Sequence, residues 1–312
     1  MSYVITLEYI CCINEKYIYM NPHYVVGIGE ALWDVLPDGK KIGGAPANFA
    51  YHVSQFGIDS CVLSAVGQDE LGDELTQHFL QKQLNCKIPT VGYSTGTVTV
   101  ELDEKGVPQY DIKENVAWDN IPFTPELEAL ARETRAVCFG SLAQRSIVSR
   151  TTIRKFIDAM PREKGVYRIF DINLRQNFYT PEIIESSLNL CNVLKINDEE
   201  LVILSRMFQI PEIDFKSVCR MMLDKYNLDI LVLTCGVEGS YVFTPDHMSF
   251  LPTPRVEVAD TVGAGDSFTA SFISSLLKGK SVSEAHRTAV DVSAYVCSCH
   301  GAMPVLPENL LK

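Results

Sequence analysis

The chain has 312 residues, 46% hydrophobic and 21% charged, an ordinary balance for a globular chain long enough to bury a large core. Its 27 basic and 39 acidic residues leave a formal net charge of −12, and no basic run exceeds Lys40-Lys41. Both facts exclude a nucleic-acid binder, which needs clustered Lys and Arg to meet phosphate, and the sign is wrong for an anionic membrane surface. No segment reaches the ~18 uninterrupted apolar residues of a spanning helix. A phosphorylated ligand stays open, because backbone amides at a helix N-terminus bind phosphate without Lys.

Residues 1–20 read as an N-terminal extension. They have no Lys or Arg before Lys16, and Glu8 interrupts the apolar run, which does not fit a secretory signal. Met20 is an alternative start, because a regular pattern begins right after it. Residues 21–312 read as a single domain. Strand-like runs fall at Tyr24–Ile28, Cys61–Val66, Ala136–Phe139, Val166–Phe170, Val193–Ile196 and Asp229–Leu233. Helical patterns fall at Ala47–Phe56, Asp69–Lys82, Ser149–Ala159, Pro181–Leu190, Glu199–Phe208, Phe215–Tyr226, Gly265–Leu277 and Ser283–Cys299. Such alternation predicts an α/β fold with a mainly parallel sheet and helices on both faces, its site at the carboxyl ends of the strands. Residues 96–112 break the rhythm. β-Branched Thr97–Val100 and turn residues Asp103–Gly106 predict a hairpin without a crossover helix, either an edge hairpin or a lid over a site.

The ten cysteines lie mostly in apolar runs and read as buried free thiols of a cytoplasmic protein. Cys297, Cys299 and His300 lack the paired spacing of a zinc site. Gly27-Ile28-Gly29 lacks the third glycine of a dinucleotide fingerprint, since position 32 is leucine, and Gly279-Lys280-Ser281 lacks the leading glycine of a P-loop, since position 274 is serine.

Asp260-Thr261-Val262-Gly263-Ala264-Gly265-Asp266-Ser267-Phe268 carries the most information. Gly263, Ala264 and Gly265 precede an apolar helix. Their amides and the helix N-terminus make an anion hole suited to a phosphoryl group in transfer. Asp266 at its lip is either a helix cap or a general base for an attacking hydroxyl. The local pattern leaves these two balanced. Gly43-Gly44-Ala45-Pro46-Ala47-Asn48 precedes another helix. Its glycines permit close approach of a small ligand. Asp34 and Asn48 offer the carboxylate and carboxamide that suit vicinal sugar hydroxyls, with a tight turn and a cap as the plain alternatives.

DTVGAGDSF and GGAPANFAYHVSQFG resemble the two signatures of the PfkB, or ribokinase-like, family of carbohydrate kinases, in the same order and with the same separation. The resemblance runs from about Tyr24 to Pro304. GEALWDVLPDGKKIGGAPANFA, GSLAQRS and DINLRQ look most like the fructokinase branch. The resemblance implies a three-layer α/β/α sandwich with a small β lid formed mainly by about 96–112, which often also makes a homodimer contact. It implies that ATP phosphorylates a sugar, D-fructose giving fructose 6-phosphate, with ribose, 2-keto-3-deoxygluconate or a nucleoside as other acceptors. A sugar- or nucleotide-sensing protein without turnover is the rival of another class, and an intact Asp266 argues against it. By the same resemblance Asp266 is the base and Gly263–Gly265 the anion hole. Asp34, Gly43, Gly44, Asn48, Gln144, Arg145 and Arg175 contact the sugar. Thr234, Gly236 and Gly239 form the nucleotide loop, and Asp291 lies where relatives carry Asn beside adenine. Asn197 and Glu200, in an N-x-x-E motif, hold Mg²⁺ through water and set the phosphate. A K⁺ site falls beside Asp260.

Overall fold

Apolar runs of four to six residues form the central strands, and capped amphipathic stretches form the helices between them. The structure, a computed structural model, describes residues 23–36, 39–102, 108–211 and 214–312. The expected extension and the turn Asp103–Gly106 lie outside the described residues.

Strand β1 (Tyr24–Ile28) leads into the pair β2 (Leu32–Leu36) and β3 (Gly39–Gly43). Helix α1 (Ala45–Gln55) follows, then β4 (Ser60–Leu63), β5 (Val66–Gly67), α2 (Glu70–Gln81), β6 (Asn85–Lys87), β7 (Thr90–Val91), β8 (Gly96–Leu102) and β9 (Pro108–Ile112). Next come α3 (Pro125–Arg132), β10 (Thr134–Phe139), α4 (Ile147–Ala159), β11 (Tyr167–Asp171), α5 (Pro181–Leu190), β12 (Val193–Asn197), α6 (Asp198–Met207) and α7 (Phe215–Lys225). The chain ends with β13 (Ile230–Thr234), the hairpin β14 (Ser240–Phe243) and β15 (Met248–Leu251), and helices α8 (Ala264–Leu277) and α9 (Val282–Cys297). Side-chain caps fix several helix starts: Asp69, Thr124, Thr180, Asp214 and Ser281 each accept a first-turn amide, and Pro125 and Pro181 open their helices.

Nine strands form the main sheet in the order β15-β14-β13-β12-β11-β10-β1-β4-β6. It is parallel from β13 to β6, and β14 and β15 add an antiparallel edge. Alternate residues serve opposite faces. Val26, Phe139, Phe170 and Leu194 pack with Leu127, Phe156, Ile184 and Leu201 from α3 to α6. Val25, Ala136, Ile169 and Val193 pack with Phe49, Phe268 and Ala289 from α1, α8 and α9. Both faces are therefore covered, which is why these strands read as continuous apolar runs. The result is the three-layer α/β/α sandwich that the sequence predicts. The eight cysteines among the described residues are free thiols. No helix among those residues is long and apolar enough to cross a membrane.

A second sheet projects from the first, in the order β3-β2-β8-β9. Strands β2 and β8 pair in parallel at its centre, and the hairpins β2–β3 and β8–β9 are antiparallel. Residues 96–112 thus supply half of this small sheet, and residues 32–43 supply the other half. Asp34 lies inside β2.

Candidate active site

The site is built where strand ends, the small sheet and two helix N-termini converge. At the start of α8, Gly263 takes a left-handed φ of 78°. A β-carbon there would lie 2.7 Å from that of Ala302, so both conformation and space require glycine. The Ser267 amide donates to the Gly263 carbonyl at 2.8 Å, the first intrahelical bond. The amides of Gly265 and Asp266 fall in the first turn, where the helix offers no acceptor. Asp260 fastens the loop from outside, its carboxylate accepting from the amides of Val262 (3.0 Å) and Gly301 (3.1 Å).

Asp266 meets Asn48 across 218 residues of sequence, with Asn48 Nδ2 donating to Asp266 Oδ2 at 2.8 Å. Asn48 Oδ1 is buried, with no hydrogen-bond partner among the described residues. The Asp266 carboxyl faces inward, and burial, reinforced by Asp171, raises its pKa from 3.8 to about 6, against the opposing pull of Asn48, Lys195 and Arg175. The two options left by the local pattern now separate. Asp266 is not the cap residue of α8, which is Gly263, and no side-chain cap bond closes that helix.

Beneath Asp266, Lys195 Nζ donates to Asp171 Oδ1 at 2.9 Å, and Thr269 Oγ1 donates to Asp171 Oδ2 at 3.1 Å. Glu30 enters from the β1–β2 loop, and its Oε2 is buried with no partner among the described residues. Burial is the main reason its pKa rises to about 7. Glu30, Pro46, Phe49, Cys138, Asp171 and Asp266 surround a cavity of about 10 Å³, about one water in size.

The small sheet contributes Asp34, whose pKa burial pushes up to about 6 while Arg175 and Lys41 pull it down. The two glycines before α1 have separate reasons. A β-carbon on Gly43 would strike the Asp34 carboxylate, and one on Gly44, at φ 116°, would strike the Glu30 carbonyl. Arg175 is exposed, donates to the Leu174 carbonyl at 3.0 Å, and acts on Asp34, Glu30 and Asp266 together.

Asn197 and Glu200 form a reciprocal cap on α6: Asn197 Oδ1 accepts from the Glu200 amide (2.8 Å), and Glu200 Oε2 from the Asn197 amide (3.0 Å). Glu200 Oε1 also accepts from the Leu174 amide at 2.9 Å, so this motif fixes the loop that carries Arg175. Each carboxylate oxygen keeps a second lone pair, and among the described residues no cluster of three acidic, His or Cys groups could hold a metal directly. That donor set fits an ion held through water, as Mg²⁺ often is.

At the end of β13, Gly236 (φ 51°) and Gly239 (φ 135°) shape a tight loop that the Cys235 amide closes on the Gly239 carbonyl at 2.8 Å. Thr253 Oγ1 anchors the Gly236 carbonyl at 2.6 Å. Thr234 ends the strand beside it, and Asp291 is exposed on α9.

Gln144 and Arg145 have other occupations than the expected sugar contacts. Gln144 is fully buried and donates to the Gly140 carbonyl (2.8 Å) and Ser187 Oγ (2.9 Å). Arg145 pairs with both oxygens of Asp119 at 2.9 Å and lies over the rings of Trp118 and Phe178. Sequence reasoning missed Lys195 and Thr269, and quoted Glu30 and Asp171 only within segments. One signal was available: a lone Lys inside the apolar run Val193–Ile196 is out of place unless it is paired.

The pfkB family carbohydrate kinase model matches residues 8–309. An ATP-dependent 6-phosphofructokinase of Thermoanaerobacterium thermosaccharolyticum is 27% identical over 95% of this chain and 94% of that protein. Fructokinase-2 of Zea mays is 29% identical over 91% of each. Among solved structures, a fructokinase from Vibrio cholerae O395 with fructose, ADP and calcium bound aligns with a TM-score of 0.77 and 25% identity, over 94% of this chain and 98% of that one. The ribokinase-like sandwich, the glycine-led α8 and the match across nearly the whole chain agree: this chain belongs to the pfkB family of carbohydrate kinases, with fructokinases among both its relatives and its structural neighbours.

Proposed function

We propose that this carbohydrate kinase transfers the γ-phosphoryl group of ATP to the 6-hydroxyl of D-fructose. The observation that carries the reading is the 2.8 Å bond from Asn48 to Asp266. It joins the polar residues of the N-terminal half to a carboxylate in the first turn of α8. A phosphate seated in the anion hole repels an ionised carboxylate beside it, so a carboxylate kept there needs a role, and a raised pKa near 6 suits a base operating near neutrality.

In this reading Asp34 and Asn48 hold vicinal hydroxyls of the sugar, and Gly43 and Gly44 let it approach the backbone. Asp266 takes the proton of the attacking hydroxyl. The Gly265 and Asp266 amides, positioned by Gly263 and Ala264, stabilise charge on the phosphoryl group in flight. ATP lies along Thr234–Gly239, with Asp291 toward the base and Arg175 at the mouth of the sugar pocket. Asn197 and Glu200 would hold Mg²⁺ through water, which supplies charge neutralisation on the phosphates, and Asp260 would border a K⁺ site. The small sheet closes over the sugar and excludes water, the competing acceptor, and it makes the homodimer contact that the family resemblance implies.

A second reading is favoured by one observation. Arg175 and Lys41 flank Asp34 as exposed cations, and a 6-phosphofructokinase is among the relatives, so fructose 6-phosphate is a rival acceptor. The Asp34 carboxylate between those cations repels a phosphate dianion, which favours the neutral sugar. ADP release measured with fructose, fructose 6-phosphate, ribose, 2-keto-3-deoxygluconate and adenosine decides. The expected result is the highest kcat/KM with fructose; a higher value with another acceptor reassigns the substrate.

A further inference from the structure

Lys195 sits on β12 with 9% of its surface exposed. Removing an ammonium from water costs several kcal/mol, so its setting calls for a reason. Its Nζ is bound to Asp171, and Asp171 is bound to Thr269 of α8. A β-carbon on Gly265 would lie 3.0 Å from the same Nζ. The ammonium therefore lies directly under the first turn of α8, against the residue that precedes Asp266. Its charge interacts with Asp171, Glu200 and Asp266 together. It is thus coupled both to the carboxylate read as base and to the motif read as holding magnesium.

We propose that Lys195, held by its pairing with Asp171, is a positioning residue for phosphoryl transfer: its ammonium, set under the first turn of α8, supplies positive charge to the anion hole and to the neighbouring carboxylate of Asp266. The inference rests on the reading of Asp266 as general base. Other groups also face Asp266: Asn48 from α1, Glu30 from the β1–β2 loop, Cys138 from β10, Asp171 at the end of β11 and Arg175 just beyond it. Among them Asp171 raises its proton affinity, whereas Asn48, Lys195 and Arg175 lower it. Neutralising Asp171 makes Asp266 easier to ionise. Removing Lys195 from that background makes it harder again, without leaving an unpaired buried carboxylate.

The test compares the wild-type protein, Asp171→Asn, and Asp171→Asn with Lys195→Met, with Lys195→Gln replacing Met if the last does not fold. The acid limb of kcat/KM is followed by ADP release with the best acceptor. In parallel, the Asp266 carboxyl is titrated by ¹³C NMR and assigned by its loss in Asp266→Asn. Expected is a limb displaced to lower pH in Asp171→Asn and returned upward by about 1 pH unit in the double variant, with kcat of the double variant down about tenfold or more. Coincident limbs and NMR midpoints in the two variants would overturn the proposal. A wild-type protein that turns over no acceptor strikes the kinase reading instead, and the NMR comparison still decides the role of Lys195.

Discussion

Glu30 shows what a single buried carboxyl does to the protein around it. It is 3% exposed, one oxygen has no partner among the described residues, and burial raises its pKa from 4.5 to about 7. The folded state therefore holds this proton more tightly than the unfolded chain. The resulting stabilisation is fully present below pH 4.5 and is lost as pH rises through 7, an effect of about 3 kcal/mol at 1.36 kcal/mol per pH unit. Glu30→Gln keeps the shape and stays neutral. Urea unfolding of wild type and variant should show the variant gaining about 2.5 kcal/mol relative to wild type between pH 5 and pH 8. His52 and His286, whose pKa values burial lowers to about 4, shift stability the other way, but they cancel in this difference. A pH-independent difference would show that Glu30 ionises as readily in the folded protein as in the unfolded one. At the neighbouring Asp266 the expected loss is kinetic. Asp266→Asn should lower kcat by ~10²–10⁴, the usual range for a lost general base, while ATP binding measured by calorimetry persists. Near-normal turnover would remove the base from the mechanism.

Arg145 shows how an element is joined to its neighbours. Its side chain, 7% exposed, ties the turn after β10 to the turn at Ala117–Asn120 through Asp119. Breaking a buried pair from one side leaves a stranded charge and costs about 3–5 kcal/mol. Arg145→Met should therefore lower the melting temperature sharply and leave the KM for fructose within about twofold of wild type. A raised KM with an unchanged melting temperature would instead put Arg145 in the sugar pocket. The parallel strands and the helices that cover them were legible in the sequence, because burial on both faces writes continuous apolar runs between capped, amphipathic stretches. The strands β2 and β3 were not. Trp33, Asp34, Lys40 and Lys41 mix signals, and the partner of β2 is β8, some sixty residues on, a pairing no local pattern announces. Helix α3, with eight residues, is too short to stand out. The site was legible where glycines mark a backbone constraint, at 43–44 and 263–265. It was hidden where a charge is buried by residues remote in sequence, as at Lys195 and Glu30.

At the scale of the molecule, the main sheet carries the Thr234–Gly239 loop proposed to meet the nucleotide and packs against α8, whose first turn is the proposed anion hole, while the small sheet carries Asp34. Chemistry requires the two sheets to act together, and the position of the tryptophans makes their relation measurable. The chain has two tryptophans. Trp33 is on β2, buried, and bonded through its indole to the Leu71 carbonyl at 2.9 Å. Trp118 is buried under β8, so close to Gly96 that a β-carbon there would strike its ring nitrogen. Both indoles therefore report on the root of the small sheet, and no third tryptophan dilutes the signal. If that sheet moves over the sugar, D-fructose should change the intrinsic fluorescence saturably, and equally in Asp266→Asn, which retains the binding residues but not the base. The midpoint should match the dissociation constant from calorimetry. Fructose binding without any change in emission would mean that the small sheet is already in its working position, and that water is excluded by the sugar itself rather than by closure.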